Sequence, residues 1–562
     1  MQMRSWVGLT LLLSIMGASV APAASVLRLT REQYIERVHA IWIAQMVGQQ
    51  LALPFEHKPA AVIEVRDYPA PVDHVALDDD WYYEMILLRA LEKHGVELTP
   101  RQLGDFWDKY NVGTWGSSEQ ARLNIRKGIY PPDSGHPRYN RLWFTMGNQA
   151  RGDLPGMLAP GMPNLAANLS RRWGRINSFA EGTDGGVLLS AMISLAFTEP
   201  DVRSVLEKSL AVLPRSRPHR QAIEEMLAMA RSGLAPAEIA ERLEDKWHYR
   251  YPATNNAPGN MALAALAIWF GNGDFLKTVN VAASAADFTD SDNNAAVACA
   301  VVAAARGIQA IPEYLWKPFH DRVRGDSMGH LKLPPIDESI RRLAERTVDM
   351  GTKILAANRV SEKSGRWTIP VDAPREQEAD AFSLTEYTKW WNPEWTLVRA
   401  GYGASGGGLR GIRGGTSLDG DILATYPRDE IRGMYLRSDQ TLPQATSVLR
   451  MDVAADPGRA WQLTIFVDNQ RLFQKVIDGA EDQRTEKDPA KMDRLAAAHD
   501  PPLSVHEFEV VELRQMRRWQ QVSLDLKPYA GRKVVLRLYQ TILVPERPPG
   551  NAYWRNVRIE ER

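Results

Sequence analysis

The sequence predicts a multidomain protein in which an all-α domain is followed by an all-β sandwich, and three observations support this prediction. The chain has 562 residues, more than one hydrophobic core usually supports. From about Leu27 to Asn358 apolar residues recur every three or four positions, the period of a helix. After about Ala356 the chain becomes rich in Pro, Gly and Trp, and segments with alternating apolar residues follow. The expected divisions are a signal peptide at 1–23, the helical domain at 24–355, a connector at 356–395 and the β-sandwich at 396–562.

Composition and charge exclude several classes of protein. Hydrophobic residues make up 44% and charged residues 24%, as in ordinary globular proteins, which argues against a disordered chain. The 68 Lys and Arg residues balance the 68 Asp and Glu residues, so we expect no nucleic-acid partner. A single cysteine, Cys299, forms neither an intramolecular disulfide nor a thiolate metal site. Any metal therefore needs oxygen or histidine ligands.

The first 23 residues are typical of a secretory signal peptide. Arg4 precedes an apolar run at 6–20, and residues 21–23 read Ala-Pro-Ala, with small side chains where signal peptidase cleaves. The run is shorter than the roughly 20 residues that span a bilayer, although a membrane anchor is the alternative reading. We expect a secreted or periplasmic protein that has no membrane anchor after signal cleavage.

Two segments of the helical region are apolar enough to lie inside a bundle. Residues 261–270 and 294–306 consist almost entirely of apolar residues, and they stop at Gly271 and Gly307. We expect Cys299 to be a small core residue of the second helix.

The C-terminal region alternates apolar and polar residues with period two. Such segments occur at 449–453, 461–467, 522–526 and 554–559, which predicts the strands of a sandwich. Trp461 and Trp554 occupy alternating positions, so we expect both in the core. A charged stretch at 481–494 interrupts the pattern and predicts a surface insertion.

Two acidic clusters precede apolar helices. Asp78, Asp79 and Asp80 lead into a helical pattern at 81–94, and the segment 290–293, Asp-Ser-Asp-Asn, leads into the Ala-rich helix. Each cluster alone is explained by helix capping. Three adjacent aspartates exceed the needs of a cap, however, and their mutual repulsion would be relieved by a cation. If the two helix starts face each other, five carboxylates form a site for Mg²⁺ or Mn²⁺, with room for two ions.

Three segments that include these clusters resemble a known family. Residues 48–56 are similar to the pattern Gly-Asp-Ala-Leu-Gly-x-Pro-x-Glu, with Gln49 and Ala52 as departures. Residues 78–80 lie at the place of a Thr-Asp-Asp motif, and residues 290–296 are similar to Asp-Thr-Asp-x-Asn-x-Ala. The chain resembles the ADP-ribosylglycohydrolases, a helical family with a two-magnesium centre, from about Arg31 to Arg324. Further matches to a secreted bacterial branch with a triple-Asp motif lie at 119–124, 128–132, 159–163 and 251–256.

The resemblance implies roles for individual residues. It implies a metal-dependent hydrolase with two Mg²⁺ ions, or with Mn²⁺, and Glu56 as the catalytic carboxylate. The implied metal ligands are Asp78, Asp79, Asp80, Asp290, Asp292 and Asn293. The implied substrate-binding residues are Glu119, Asn124, Asp184 and Asn255.

The C-terminal region resembles the galactose-binding-like jelly-roll sandwiches that are attached to many secreted glycosidases. The similarity lies in residues 519–526 and 552–559. It favours a carbohydrate-related protein, but a purely structural domain packed on the catalytic one is the alternative.

Hydrolysis of a glycosidic bond needs a proton for the leaving group and an activated water. We therefore hypothesise a glycosidase that hydrolyses the anomeric bond of a furanose-like sugar with the help of metal ions. Two alternatives remain: an ADP-ribosyl hydrolase acting on protein or a nucleotide, and a non-catalytic protein that binds sugar through a metal. Glu181 and Asp184 argue against ADP-ribose, because they would repel a diphosphate. The expected partner is a carbohydrate or an ADP-ribose-like small substrate.

Overall fold

The structure is a computed structural model that describes residues 25–111, 116–328, 331–402, 404–405, 412–484, 486, 488–499, 503 and 505–561. The predicted signal peptide lies outside these residues. Within them, a helical N-terminal domain is followed by a region of antiparallel sheets, as the sequence predicts.

Fifteen α-helices of the described residues precede the β-sandwich. They are α1 (Arg31–Ala52), α2 (Asp79–His94), α3 (Pro100–Tyr110), α4 (Gly116–Arg126), α5 (Asp153–Leu158), α6 (Pro163–Gly174), α7 (Glu181–Ala196), α8 (Val202–Ser209), α9 (Pro218–Arg231), α10 (Pro236–Arg250), α11 (Ala257–Gly271), α12 (Phe275–Ala283), α13 (Ser291–Arg306), α14 (Glu313–Trp316) and α15 (Ile340–Ala357). Most end where a Gly or a Pro interrupts the helical pattern.

The predicted apolar helices α11 and α13 lie inside this bundle. Nearly every residue of both helices is buried, and Cys299 on α13 is a core residue as expected. Helix α1 packs against both α13 and α15. Because a helix that is apolar on all sides must be surrounded by protein, α11 and α13 form the centre around which the other helices are arranged.

Two small sheets complete the helical domain. Their strands are β1 (Val26–Thr30), β2 (Arg322–Met328), β3 (Leu331–Ser339), β4 (Glu362–Lys363) and β5 (Arg366–Pro370). Strands β2 and β3 pair as a hairpin, while β5 lies between β1 and β4. The helical period predicted from Leu27 is therefore wrong for the first residues, since β1 pairs antiparallel with a strand more than 300 residues away, with Val26 opposite Pro370. The connector supplies that partner strand.

The C-terminal region is a sandwich of two five-stranded sheets. Its elements are α16 (Glu386–Trp391), β6 (Thr396–Val398), β7 (Ala404–Ser405), β8 (Ile412–Gly414), β9 (Ser417–Asp419), β10 (Ile422–Thr425), β11 (Met434–Thr441), β12 (Ser447–Ala455), β13 (Ala460–Val467), β14 (Gln470–Asp478), α17 (Pro489–Ala498), α18 (Val505–Gln515), β15 (Gln520–Asp525), β16 (Lys533–Thr541) and β17 (Ala552–Glu561). The sheet orders are β15-β12-β17-β10-β9 and β14-β13-β16-β11-β6. The charged stretch predicted at 481–494 includes the start of α17, and α18 follows it before β15.

Trp461 and Trp554 come from different sheets and meet in the sandwich core. Their rings are 4.9 Å apart and both side chains are fully buried, as the alternating pattern predicts. Packing of aromatic residues between the inner faces is what holds two sheets together.

The connector joins the two cores through Phe382. Its ring lies 5.0 Å from Trp143 of the helical domain and 5.2 Å from Tyr387, which is part of the sandwich core. Next to it, Arg175 Nε donates to Asp380 Oδ2 at 2.9 Å. In the described part of the chain, none of the helices has the length and apolarity that crossing a bilayer requires.

Candidate metal centre

The N-termini of α2 and α13 bring the two acidic clusters together. Asn293 Nδ2 donates to Asp80 Oδ1 at 2.5 Å and so joins the two helices. One carboxylate oxygen from each of Asp78, Asp80 and Asp292 lies within 4.8 Å of the others. Because carboxylates repel one another at such distances, this arrangement needs compensating positive charge.

Helix capping accounts for only part of this acidity. The Asp78 side chain accepts a hydrogen bond from Asp80 N at 3.1 Å, which caps α2. Asp290 stands at the corresponding position of α13, but its side chain makes no capping hydrogen bond. The carboxylate of Asp290 is therefore not used as a helix cap, and its oxygens are available for contacts within the acidic cluster.

A second acidic group is built from the turn after α1. His57 N donates to Thr289 O at 2.9 Å, and Phe288 N donates to Lys58 O at 2.8 Å, so the two loops run side by side. This pairing places His57 Nε2 3.4 Å from Asp290 Oδ2, and His57 Nδ1 3.7 Å from Glu56 Oε1. His57 is not among the site residues expected from the sequence, although it directly follows Glu56 in the family-like segment.

The close approach of α1 to α13 fixes the position of these loops. A Cβ atom on Gly48 would lie 2.8 Å from Ala295 O and 3.1 Å from Cys299 Cβ, so only glycine fits there. Ser291 Oγ donates to Ala52 O at 3.4 Å. Gly48 thereby sets the separation between the turn that carries Glu56 and the start of α13.

Burial and repulsion dominate the electrostatics of the centre. Burial, with added repulsion from Glu56 and Asp290, raises the pKa of Asp78 to about 7. Burial, together with repulsion from neighbouring carboxylates, raises the pKa values of Asp79, Asp80 and Asp292 well above their usual range. A proton or a cation must therefore neutralise part of this charge.

His57 responds in the opposite direction. Burial by itself would lower its pKa, but the hydrogen bond and charge of Asp290, together with Glu56 and Asp79, raise the pKa to about 9. The imidazolium supplies one positive charge at the rim of the acidic cluster.

The donor set fits a hard divalent cation. Among the described residues, Asp80 Oδ2 and Asp292 Oδ1 are buried and have no hydrogen-bond partner. Unpaired buried carboxylate oxygens are costly unless they coordinate a metal. Oxygen ligands of this kind suit Mg²⁺ or Mn²⁺.

Two further residues support the centre and were not identified from the sequence. Gln149 Nε2 donates to Asn293 Oδ1 at 2.9 Å, so both polar atoms of the Asn293 amide are used within the protein. Asn260 Oδ1 accepts from Asp290 N at 3.2 Å and from Asn294 Nδ2 at 3.0 Å. These amides hold the start of α13 in place.

The expected substrate-binding residues lie in different parts of the helical domain. Glu119 and Asn124 are buried on α4, and Asn124 Nδ2 donates to the carbonyls of Ser134 and Tyr139 at 3.0 Å. Asn255 lies on the segment before α11, where its carbonyl accepts from Met146 N at 3.0 Å. Their assignment to substrate stays a prediction.

Asp184, the remaining expected substrate ligand, belongs to a buried ion network. Arg217 Nε donates to Asp184 Oδ2 at 2.5 Å, and Arg171 Nη1 donates to Asp184 Oδ1 at 3.2 Å. Glu181 accepts from Tyr251 OH at 3.0 Å and lies 3.9 Å from Arg217 Nη2. Two guanidinium groups thus balance the negative charges of two carboxylates. Glu181 and Asp184 therefore leave no net negative charge that would repel a diphosphate, contrary to the expectation from the sequence.

The helical region matches a known protein family. The sequence model of the ADP-ribosylglycohydrolase family matches residues 30–354. A solved structure described as an ADP-ribosylglycohydrolase-related protein complex is similar, with 19% identity, a TM-score of 0.38, and coverage of 57% of this chain and 99% of that chain. No protein with a curated description matches.

Two other solved structures also resemble parts of the chain. One is described by the words "CBM4 structure and function", with 11% identity and a TM-score of 0.17, over 30% of this chain and 89% of that chain. The other is a family GH115 4-O-methyl-α-glucuronidase with specificity for decorated arabinogalactans, with 12% identity and a TM-score of 0.17, over 68% of this chain and 40% of that chain.

Proposed function

Because the chain belongs to the ADP-ribosylglycohydrolase family, we propose that it is a divalent-metal-dependent glycoside hydrolase that cleaves the bond at the anomeric carbon of a furanose-like sugar. The observation that carries this proposal is the convergence of two helix N-termini whose buried carboxylate oxygens on Asp80 and Asp292 have no partner among the described residues. An acidic centre of this kind can bind a divalent cation, and such a cation can coordinate the hydroxyl groups of a sugar.

Five aspartates would hold the metal, namely Asp78, Asp79, Asp80, Asp290 and Asp292. Once bound, Mg²⁺ would supply Lewis-acid polarisation and orient the vicinal hydroxyls of the sugar. Asn293 holds Asp80 in its orientation, and Gln149 in turn fixes the Asn293 amide. Hydrogen bonds of this kind keep metal ligands in the orientation that turnover needs.

Glu56 is the residue of the chain that moves protons. It stands at the edge of the aspartate cluster with its side chain 39% exposed, so it reaches both solvent and the centre. As a carboxylate it takes a proton from the attacking water, and as an acid it returns a proton to the leaving oxygen. His57 positions it, because the imidazolium lies between Glu56 and Asp290.

Phe288 supplies an apolar surface beside the centre. It precedes Asp290 by two residues and its side chain is 54% exposed. Aromatic rings stack on the C–H faces of sugars, so an exposed ring at this place suits a carbohydrate substrate.

The test is hydrolysis of a panel of chromogenic pentofuranosides, hexosides and ADP-ribosylated peptides with and without Mg²⁺. The Asp79→Ala and Asp292→Ala variants should lose Mg²⁺ binding in calorimetry and turnover with every substrate. The matched control is Asp274→Ala, which removes an aspartate that only caps α12 by accepting from Lys277 N at 2.9 Å. Full activity of either site variant, or of the wild type in excess chelator, contradicts the proposal.

ADP-ribosyl hydrolysis is the second candidate function. The charge balance of Glu181 and Asp184 with Arg171 and Arg217 favours it, since the region poses no net electrostatic barrier to a diphosphate. Release of free ADP-ribose from the peptides, without hydrolysis of simple furanosides, would replace the first proposal by this one. Metal-dependent binding of sugar without turnover would instead identify a non-catalytic sugar-binding protein.

We also propose that residues 1–23 are removed on export to the periplasm or the medium. The support is the charged, apolar and small-residue pattern at 4–23. Mass spectrometry of the protein from a periplasmic extract should find a mature N-terminus at Ala24. An intact Met1 in that fraction would contradict this proposal.

A further inference from the structure

A cavity lies between the helical domain and the β-sandwich, away from the acidic clusters. Its volume is about 440 Å³, within the range of small-ligand sites. Three parts of the chain line it: residues 120–142 of the helical domain, loops and strand ends of the sandwich, and the C-terminal half of α18 together with Arg517 just beyond it. None of the aspartates of the metal centre lines this cavity, whereas Asn124, one of the expected substrate-binding residues, does.

The lining of this interdomain cavity has an excess of positive charge. Among the described lining residues, seven are Lys or Arg and three are Asp or Glu. Asp419 pairs with Arg514 at 2.7 Å and with Arg517 at 3.4 Å, while Arg484 pairs with Asp482 and Glu509. The ion pairs of the described residues do not include Lys127 or Arg138, which stand at the helical side of the cavity. The carboxylates of the wall therefore do not neutralise the positive charge of the cavity.

Arg517 offers an anion in this cavity a hydrogen-bond donor. Its side chain is only 10% exposed, and its Nε atom is buried without a hydrogen-bond partner among the described residues. Its guanidinium stacks on the Tyr553 ring at 4.0 Å, which fixes the plane of the donor groups. A stacked guanidinium with a free donor is the arrangement that binds carboxylate or phosphate oxygens.

Asp456 does not compete for that donor. It is fully engaged, because it accepts from Tyr553 OH at 2.6 Å and from Asn551 N at 2.7 Å. Burial also raises the pKa of this carboxyl group. Its role is to hold Tyr553, and therefore Arg517, in place.

The rest of the wall suits a sugar ring. Trp390 and Tyr402 contribute aromatic surface, and the amides of Gln120 and Asn551 with the hydroxyl of Thr416 contribute neutral hydrogen-bonding groups. Aromatic faces next to neutral polar groups bind polyhydroxylated rings. We propose that the interdomain cavity binds an anionic saccharide of one or two rings, whose carboxylate or phosphate group contacts Arg517 and the cationic rim at Arg138.

The test is calorimetric titration of the full chain with digalacturonate, glucose 1-phosphate, inorganic phosphate and neutral lactose. The first two ligands distinguish the carboxylate from the phosphate source of the anion. We expect at least one of these two ligands to bind. Lactose lacks the anionic group and phosphate lacks the sugar ring, so both should bind more weakly by about tenfold or more. No binding of either anionic sugar, or equal binding of lactose, overturns the proposal.

Variants assign the binding to this cavity. Arg138→Glu changes an exposed residue and should weaken binding about tenfold or more, and Arg517→Lys, which keeps the charge but loses the planar donor group, should also weaken it. Arg432→Ser removes an exposed arginine elsewhere on the sandwich, where it pairs with Asp429, and should leave binding unchanged. Asp79→Ala should bind the anionic sugar as the wild type does. Loss of binding in Asp79→Ala with normal binding by Arg138→Glu would place the ligand at the metal centre and overturn the proposal, while leaving the proposed hydrolase activity standing.

Discussion

Glu56 differs from the aspartates around it in its contact with solvent. Its side chain is 39% exposed, whereas that of Asp290 is 14% exposed. A carboxylate that exchanges protons with solvent suits acid–base work, while buried carboxylates suit ligation. The depth of each side chain therefore supports the proposed division into a proton-transfer group and metal ligands.

The first residue-scale prediction concerns Glu56→Gln. The amide keeps the shape of the side chain but neither accepts nor releases a proton near neutral pH, so kcat/KM should fall about 10²–10⁴-fold. Mg²⁺ affinity should stay within a few-fold of the wild type, because the aspartates remain. Steady-state kinetics and calorimetric Mg²⁺ titration measure the two effects, with Glu64→Gln in the exposed loop as control. If turnover is unchanged, Glu56 is not the proton-transfer group.

The second residue-scale prediction concerns backbone strain at Phe288. Its φ of 57° is in the left-handed region, which costs a non-glycine residue about 1–2 kcal/mol. Phe288→Gly removes the strain and the ring, whereas Phe288→Ala removes only the ring. Chemical denaturation should find the Gly variant more stable than the Ala variant by about 1 kcal/mol, after the entropy that glycine adds to the unfolded chain. Equal or lower stability of the Gly variant would show that the strain at Phe288 does not exceed the entropy cost of glycine.

At the scale of elements, the contact of α1 with α13 sets the geometry of the centre. Gly48→Ala would place a methyl group 2.8 Å from Ala295 O, so the helices must separate. Overpacking of this kind costs about 1–3 kcal/mol, which exceeds the helix propensity gained at the site. Denaturation should detect the loss, and Mg²⁺ affinity should fall as α13 moves away from the Glu56 turn. Gln50→Ala, on the same helix and partly exposed, should change neither quantity.

Helix starts were the part of the centre that the sequence made predictable. Aspartates before an apolar helical pattern predict an N-terminus from local information, and α2 and α13 begin at Asp79 and Ser291. The apolar run of α13 also predicts its burial. The repulsion expected among the adjacent residues Asp78, Asp79 and Asp80 indicates a bound cation from the sequence alone. These signals are all local in the chain.

Other parts depend on contacts that no local pattern contains. His57 joins the centre because its loop pairs with Thr289, and Gln149 joins it through Asn293. Strand β1 forms because β5 lies beside it, although its own sequence is compatible with a helix. The charge balance at Asp184 likewise arises from Arg171 on α6 and from Arg217, which directly precedes α9. Sequence spacing alone does not predict such pairs.

At the scale of the whole molecule, Phe382 couples the two domains. Its ring contacts the cores of both, so unfolding of one domain exposes surface of the other. We expect one calorimetric transition for the wild type and two for Phe382→Ala, with a loss of about 2–4 kcal/mol in coupling. Tyr314→Ala, which removes an exposed ring elsewhere, should keep one transition. Two transitions in the wild type would contradict the coupling.

Metal binding extends this prediction to the sandwich. A ligand that binds only the folded state stabilises it by about 2.7 kcal/mol at 100 times its dissociation constant. Mg²⁺ should therefore raise the single transition of the wild type. In Phe382→Ala it should raise only one of the two transitions, that of the helical domain. An equal shift of both would place a metal in the sandwich as well.

The pairing of β1 with β5 also has a topological consequence. Val26 opposite Pro370 means that the first and last elements of the helical domain lie side by side, so the path of the chain through this domain is nearly closed. A closed path tolerates circular permutation, because a short linker can join the old ends while new ends are opened in an exposed loop. The sandwich follows this junction in the chain. It is therefore attached to the helical domain near the place where the two ends of that domain meet.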